Sequence, residues 1–132
     1  MNYELTTVVW LAVILLVLTF IQGGLVPVTH GLKWGFGSRD EPRDPTALQL
    51  RIKRTIANHI EAMLIYVPIV LVAAAMGISN DGTQLGAMLF LIGRVLFVPL
   101  YLFGVPVLRS AAYGLAIIGL FQYLWELIPQ MF

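Results

Sequence analysis

Four apolar stretches, each long enough to cross a lipid bilayer, constrain the fold of this sequence more than any other feature. A helix needs roughly 20 residues to cross a hydrocarbon core of ~30 Å. Four segments meet this length: residues 5–25, 57–78, 85–105 and 111–131. The second segment is predicted to be the upper part of a longer helix that begins near Thr46.

The fold class follows from how a backbone is satisfied in lipid. An α-helix forms its backbone hydrogen bonds within one segment, so an open apolar segment in a bilayer is helical. Hydrophobic residues make up 59% of the 132 residues and charged residues 11%, and a soluble domain of this size could not bury so much apolar surface. We predict an all-α integral membrane protein, with one four-helix domain over residues 1–132. The first segment lacks a basic n-region and a small-residue cleavage site, so we expect it to remain as a helix.

Lys and Arg residues are distributed unevenly, which predicts the orientation in the membrane. Six of the eight lie between the first segment and the core of the second: Lys33, Arg39, Arg43, Arg51, Lys53 and Arg54. Arg109 lies in the turn before the fourth segment, whereas residues 78–84 and the N-terminus contain none. Short loops rich in Lys and Arg stay in the cytoplasm. We expect the first and third connections there and both termini outside.

Turn-forming residues mark the connections between the segments. Residues 37–47 are rich in Gly, Pro, Ser and Asp and are predicted to form the main loop. Either Asp44 or Thr46 is predicted to cap the helix that follows. Residues 80–82 are predicted to form the short outer turn, and residues 104–106 the break before the fourth segment.

Several residue types predict no particular chemistry. The chain has no cysteine, which excludes disulfides and thiolate ligands. His30 and His59 have no ligand cluster around them, so no metal site is expected. His59 projects about 100° away from Asn58 and is expected to face lipid or a neighbouring subunit. The spacing Gly82-x-x-x-Gly86 is common in membrane helices and is interpreted as incidental. No feature suggests nucleic-acid binding.

A stripe of polar side chains enters the second segment. At 100° per residue, four of them fall within an arc of roughly 80° on one helix face. These residues are Arg51, Arg54, Asn58 and Glu61. Lys53 points to the other side and is expected to reach lipid phosphate. The stripe spans about 15 Å along the axis, so it starts in the aqueous interface and ends inside the membrane.

Glu61 is the member of the stripe that most needs a partner. An intramembrane carboxylate is costly and usually faces the bundle interior or a water-filled cavity. Arg94, about midway along the third segment, is the expected partner. Two interpretations of Arg94 stay open: a buried ion pair that fixes the register of two helices, or a group that binds a ligand. Arg51, Arg54 and Asn58 exceed what pairing one carboxylate requires.

These motifs resemble the MAPEG family, the membrane-associated proteins of eicosanoid and glutathione metabolism. The resemblance is carried by R-x-x-R-x-x-x-N-x-x-E at 51–61, by the four segments and by the basic first loop. It continues in 94-RVLFVPLY-101 and 107-VLRS-110 and covers nearly the whole chain. The loop at 37–40 is similar to the bacterial branch of the family, which implies a bacterial inner membrane.

The resemblance implies a homotrimer whose active sites lie between subunits near the cytoplasmic face and hold glutathione as a co-substrate. It assigns the binding of glutathione to Lys33, Arg51, Arg54, Asn58, Glu61, Arg94 and Tyr101. Arg109 would face the sulfur. A free thiol has a pKa of about 8.5, and a neighbouring cation favours the nucleophilic thiolate. The implied activity is that of a microsomal-type glutathione transferase or peroxidase acting on hydrophobic electrophiles that arrive through the bilayer.

The sequence also departs from the family pattern, which leaves alternatives open. Phe97, Ala62 and Ile56 each stand where a polar or hydroxyl-bearing residue is common. The alternative is a non-catalytic member that binds a lipid or an amphipathic anion in the cleft between subunits. A small four-helix exporter ranks last, because it would need a carboxylate in the middle of the first segment, and Glu4 lies at its edge.

Overall fold

The computed structural model describes residues 2–132, and all its regular structure is helical. Its helices are α1 Tyr3–His30, α2 Leu32–Phe36, α3 Ala47–Ala75, α4 Asp81–Leu102 and α5 Pro106–Leu127, followed by a 3-10 turn at Ile128–Gln130. Helices α1, α3, α4 and α5 are long and apolar enough to cross a membrane. The predicted all-α, four-span fold is confirmed, and the protein is an integral membrane protein. The short helix α2 was not predicted.

Side-chain caps fix where the helices begin. Thr46 and Gln49 form a capping box at the start of α3, so Thr46 rather than Asp44 is the cap. Asn80 and Thr83 form a second capping box at the start of α4. Residues 81 and 82 therefore already belong to α4, and the outer connection, residues 76–80, begins four residues and ends two residues earlier than predicted. Such caps satisfy backbone N–H groups that have no partner inside the helix.

The break between α4 and α5 is set by glycine and proline. Gly104 has φ 71°, a left-handed conformation that favours glycine. Pro106 then opens α5, where the missing proline N–H costs no hydrogen bond. The break lies where it was predicted. Arg109, however, lies in the first turn of α5 and not in the turn before it.

Helices α4 and α5 pack against each other through glycine. A Cβ atom on Gly86 would lie 2.7 Å from the carbonyl oxygen of Gly119, and one on Gly93 would lie 2.5 Å from the backbone nitrogen of Ala116. A Cβ atom on Gly82 would collide with the Glu126 side chain. The interpretation of the Gly82 and Gly86 spacing as incidental is therefore wrong, because both face α5 and allow the close approach.

The core divides the bundle into two unequal halves. One end, called the terminal end, holds the start of α1, the α3–α4 turn and the end of α5; the other, the loop end, holds α2, residues 37–46 and the α4–α5 break. Near the terminal end, Tyr66 stacks on Phe90 at 4.1 Å within a large apolar cluster. Towards the loop end, the buried apolar cluster is small: Leu18, Ile52 and Ile56. The stripe therefore begins at the loop end, where the apolar packing is thinner, and reaches the large cluster at Asn58 and Glu61.

Candidate functional site

A cleft between α3, α4 and α5 brings together three of the predicted site residues. It contains a cavity of about 80 Å³. The polar side chains that line the cavity are Asn58, Glu61, Arg94 and Tyr113. The remaining walls are apolar, and Phe90 and Ile65 contribute to them. The face of α3 that carries the predicted stripe thus opens onto a cavity inside the span.

Arg94 is the most constrained polar group of the cleft. Its side chain is 1% exposed. Its Nη1 donates to Asn58 Oδ1 at 2.7 Å, and its Nη2 donates to His59 Nδ1 at 3.2 Å. The guanidinium carbon lies 4.6 Å from the centre of the Phe97 ring. Its Nε is buried and has no hydrogen-bond partner within residues 2–132. Arg94 is therefore held by groups of α3, and its side chain also lines the cavity.

His59 anchors Arg94 to α1, and its expected position facing lipid or a neighbouring subunit is wrong. The ring is fully buried, and Nε2 lies 2.9 Å from the backbone oxygen of Leu11. A carbonyl oxygen only accepts, so Nε2 carries the proton and Nδ1 of the neutral ring accepts from Arg94. His59 therefore ties α1, α3 and α4 into one network.

The expected ion pair between Glu61 and Arg94 is also wrong. Across residues 2–132, the ion pair found is the one between Arg43 and Glu41, at 3.8 Å. Glu61 lines the same cavity as Arg94 but its side chain is exposed. The prediction that Glu61 and Arg94 lie at a similar depth in the membrane agrees with their lining one cavity. The rotation of α4 instead turns the guanidinium towards Asn58 and His59.

A second group of predicted residues surrounds the α4–α5 break. The guanidinium carbon of Arg109 lies 4.8 Å from the centre of the Tyr101 ring, within the range of a cation–π contact. Arg51 reaches across from α3, and its Nη1 lies 3.4 Å from the backbone oxygen of Leu102. Its guanidinium carbon would be 3.3 Å from a Cβ atom on Gly104. A side chain at Gly104 would thus crowd Arg51.

Two predicted residues belong neither to the cleft nor to the group at the α4–α5 break. Arg54 is exposed on the surface of α3. Lys33 lies in α2 and is also exposed. It lines a separate open depression of about 690 Å³ formed with residues 37–43. Neither residue lines the cavity at Arg94.

Sequence reasoning missed two residues of the site, His59 and Tyr113. Tyr113 was not among the predicted site residues, yet it lines the cavity, and its ring centre lies 6.2 Å from that of Phe97. Tyr113 follows Arg109 by four residues, so the two share a face of α5, and that spacing could have indicated it. A lone imidazole within an apolar helix needs a buried partner, and this could have drawn attention to His59.

These features define a class of protein: a four-span helical membrane protein with a cationic, amide-containing cleft between three of its helices. The chain belongs to the MAPEG family, whose family model matches residues 7–128. This family includes glutathione transferases and related proteins, often uses glutathione and is generally oligomeric. No curated protein matches the chain significantly, and no solved structure does.

Proposed function

We propose that the protein is a glutathione-dependent transferase or peroxidase acting on hydrophobic electrophiles from the bilayer. The observation that supports it most is the row of donors from Arg51 to Asn58, which joins the α4–α5 break to the cleft around Arg94. Cations and amides at membrane depth are costly unless a function or a partner needs them. A bent peptide anion would need such a row.

The charges of the row fit glutathione, which carries carboxylates at both ends and one ammonium group. Arg51 and Arg54 supply cations for the carboxylates, and Glu61 supplies an anion for the ammonium. The oxygen of the Asn58 amide already accepts from Arg94. Its NH₂ group therefore remains to donate to a peptide carbonyl. Arg94 and Tyr101 would hold this arrangement in place.

Arg109 is proposed to generate the nucleophile. Glutathione supplies a thiol, which is mostly protonated at neutral pH. The Tyr101 ring, 4.8 Å from the Arg109 guanidinium carbon, would hold this cation at the mouth of the site. A cation beside the thiol favours its deprotonation, and the thiolate is the attacking species.

The site is proposed to be completed by a second copy of the chain in a homotrimer. A cavity of about 80 Å³ is small for a tripeptide. Glu61, near the middle of α3, is exposed within a single chain, and a carboxylate facing lipid is costly. A neighbouring copy would cover it, and that copy's α2 could bring in a second Lys33.

Replacing Arg109 with Ala tests the proposal. The ultraviolet absorbance of the thiolate, measured on detergent-purified protein with glutathione, should fall roughly tenfold, the effect of ~1.4 kcal/mol. The glutathione Kd from calorimetry should change less than about threefold, because other side chains hold the peptide. Lys53→Ala, on the opposite face of α3, is the matched control and should change neither quantity. Failure of the unmodified protein to bind glutathione at millimolar concentration would refute the proposal.

A second candidate function is the binding of an amphipathic anion without catalysis. One observation favours it: the position of Phe97, where the family commonly has a tyrosine, presents a hydrocarbon ring to Arg94 instead of a hydroxyl. In that case Arg109→Ala would weaken anion binding without changing any thiolate signal.

We also propose that the loop end lies in the cytoplasm, in a bacterial inner membrane. The excess of Lys and Arg in the first connection supports this orientation. A cysteine placed at Ser38, the sole thiol in such a variant, should react with an impermeant maleimide only in inside-out vesicles. Labelling of intact cells would contradict the orientation.

A further inference from the structure

A second cavity lies on the side of α3 that faces away from the proposed glutathione site. It has a volume of about 220 Å³ and lies at the loop end, between the last turns of α1 and the first turns of α3. Leu25, Val26 and Ile52 line its apolar part. Arg43 and Lys53 line its polar part. The cavity therefore has an apolar floor and a cationic rim.

The rim offers donors and, among residues 2–132, no acidic lining side chain. The oxygen of the Gln49 amide accepts from the Thr46 backbone N–H at 2.7 Å and lies 3.2 Å from His30 Nε2. An amide oxygen engaged in this way leaves the NH₂ group of Gln49 free to donate. Arg43 forms a 3.8 Å pair with Glu41 between exposed side chains, and such surface pairs are weak. Donors thus remain for an anion.

The position of Trp34 holds the rim in shape. Its Nε1 donates to the Glu41 backbone oxygen at 2.6 Å. The guanidinium carbons of Arg39 and Arg43 lie 5.8 and 5.9 Å from its ring centre. These contacts hold residues 37–43 against α2, so that the half-exposed Arg43 lies at the edge of the cavity.

A second, apolar cavity lies deeper in the membrane on the same side of α3. It has a volume of about 330 Å³ and is lined by Leu15 of α1 and by Ile60, Leu64 and Val67 of α3. At 100° per residue, these α3 residues project within about 40° of Lys53. They follow Lys53 by seven to fourteen residues, roughly 10 to 21 Å along the axis. This is about the depth of one leaflet of a ~30 Å hydrocarbon core.

We infer that the α1–α3 groove, defined by these two cavities, binds an anionic phospholipid. The phosphate lies against Arg43, Lys53 and Gln49, and an acyl chain lies along Ile60 and Leu64. The two cations favour an anionic headgroup, and the apolar cavity deeper in the membrane favours a ligand with an acyl chain. The groove is separate from the cleft at Arg94, because its two cavities share no lining residue with that cleft.

Native mass spectrometry of the delipidated full chain, titrated with phosphatidylglycerol or phosphatidylcholine of identical acyl chains, tests the headgroup site. We expect one tightly retained phosphatidylglycerol per chain and weaker retention of phosphatidylcholine. The double variant Arg43→Gln/Lys53→Gln should lower phosphatidylglycerol affinity about thirtyfold, since each lost cation near an anionic headgroup weakens binding about fivefold. Arg54→Gln, a cation lost from the other side of α3, should change it less than about twofold.

A second arm tests the acyl chain and separates a lipid from a free anion. Leu64 is 70% exposed, so Leu64→Trp should fold and should narrow the groove. We expect it to weaken phosphatidylglycerol binding by about threefold to tenfold, whereas Ile118→Trp, at a 60% exposed position on α5, should not. Equal retention of the two lipids, unchanged binding in the double variant, or displacement by equimolar glycerol phosphate would each overturn the inference.

Discussion

Two buried polar clusters lie in the same bundle and differ in what remains unsatisfied. At the terminal end, the Glu4 side chain is 1% exposed and accepts from the hydroxyls of Ser79 at 2.9 Å and Thr83 at 2.6 Å. In the middle of the bundle, Arg94 is equally buried, but its Nε has no partner in residues 2–132 and it borders a cavity. We call the first cluster closed, because its polar groups bind one another, and the second open, because it borders a cavity.

The difference separates a structural role from a binding role. An ionisable side chain inside a membrane span that lines a cavity is a candidate for ligand binding, whereas one whose partners are all side chains of the bundle serves the fold. Glu4 joins the start of α1 to the start of α4 through hydroxyl groups. Arg94 fixes Asn58 and His59 and also lines the cavity. We therefore expect Glu4 to affect stability alone and Arg94 to affect both stability and ligand binding.

The largest effect is expected from Arg94→Leu. The substitution leaves Asn58 Oδ1 and His59 Nδ1 without a donor, and each unsatisfied buried acceptor costs roughly 1 to 3 kcal/mol. The free energy of unfolding, measured by reversible denaturation in mixed micelles, should fall by about 3 kcal/mol, and glutathione binding should be lost. Arg94→Lys keeps one donor and should lose about half as much stability. An unchanged free energy of unfolding in the leucine variant would show that the hydrogen bonds of Arg94 do not stabilise the fold.

A smaller effect is expected from Glu4→Ala, and it sharpens the comparison. Removing the carboxylate leaves the Thr83 hydroxyl only the Asn80 backbone oxygen, 2.9 Å away, as acceptor. Loss of this bond to Glu4 and of the one from Ser79 should lower the free energy of unfolding by about 2 kcal/mol. The glutathione Kd should stay within about twofold, because the cluster is closed. Ser79→Ala, at the exposed edge of the same cluster, should cost only about 0.5 kcal/mol. If Glu4→Ala weakened glutathione binding as much as Arg94→Leu does, the distinction between the two clusters would fail.

The smallest effect is expected from Phe97→Tyr. The ring lies between Arg94 and Tyr101, with its centre 5.5 Å from that of Tyr101. A hydroxyl added there could donate to bound glutathione, and a net hydrogen bond of about 1 kcal/mol would tighten the Kd about fivefold. Phe121→Tyr, at a position 68% exposed on α5, should leave the Kd unchanged. Equal affinities of the two variants would favour the amphipathic-anion alternative over glutathione.

The fold could be predicted because hydropathy reports directly on membrane spans. The four spans were found, although α1 continues to His30, five residues beyond the predicted end. The continuation follows from helix propagation past the apolar run until Gly31, which has φ 92°. The short helix α2 carries too few residues to show a period.

The site could be predicted only in part, because a sequence gives height along a helix but not rotation between helices. From their positions along the helices, Asn58, Glu61 and Arg94 were expected at a similar depth, and they line one cavity. It could not show that Arg94 turns to His59 instead of Glu61. That choice depends on how α1 packs on α3, which sets the Leu11 carbonyl at 2.9 Å from the imidazole.

The glycine contacts between α4 and α5 have a mechanical consequence. The two backbones are in contact at Gly86, Gly93 and Gly119. Helices α4 and α5 therefore have little room to shift against each other and should move as one rigid unit. Helix α3 has no comparable glycine seam with α5, and a cavity lies between them. Guest molecules would therefore enter by a swing of α3, with the histidine link to α1 carrying that helix along.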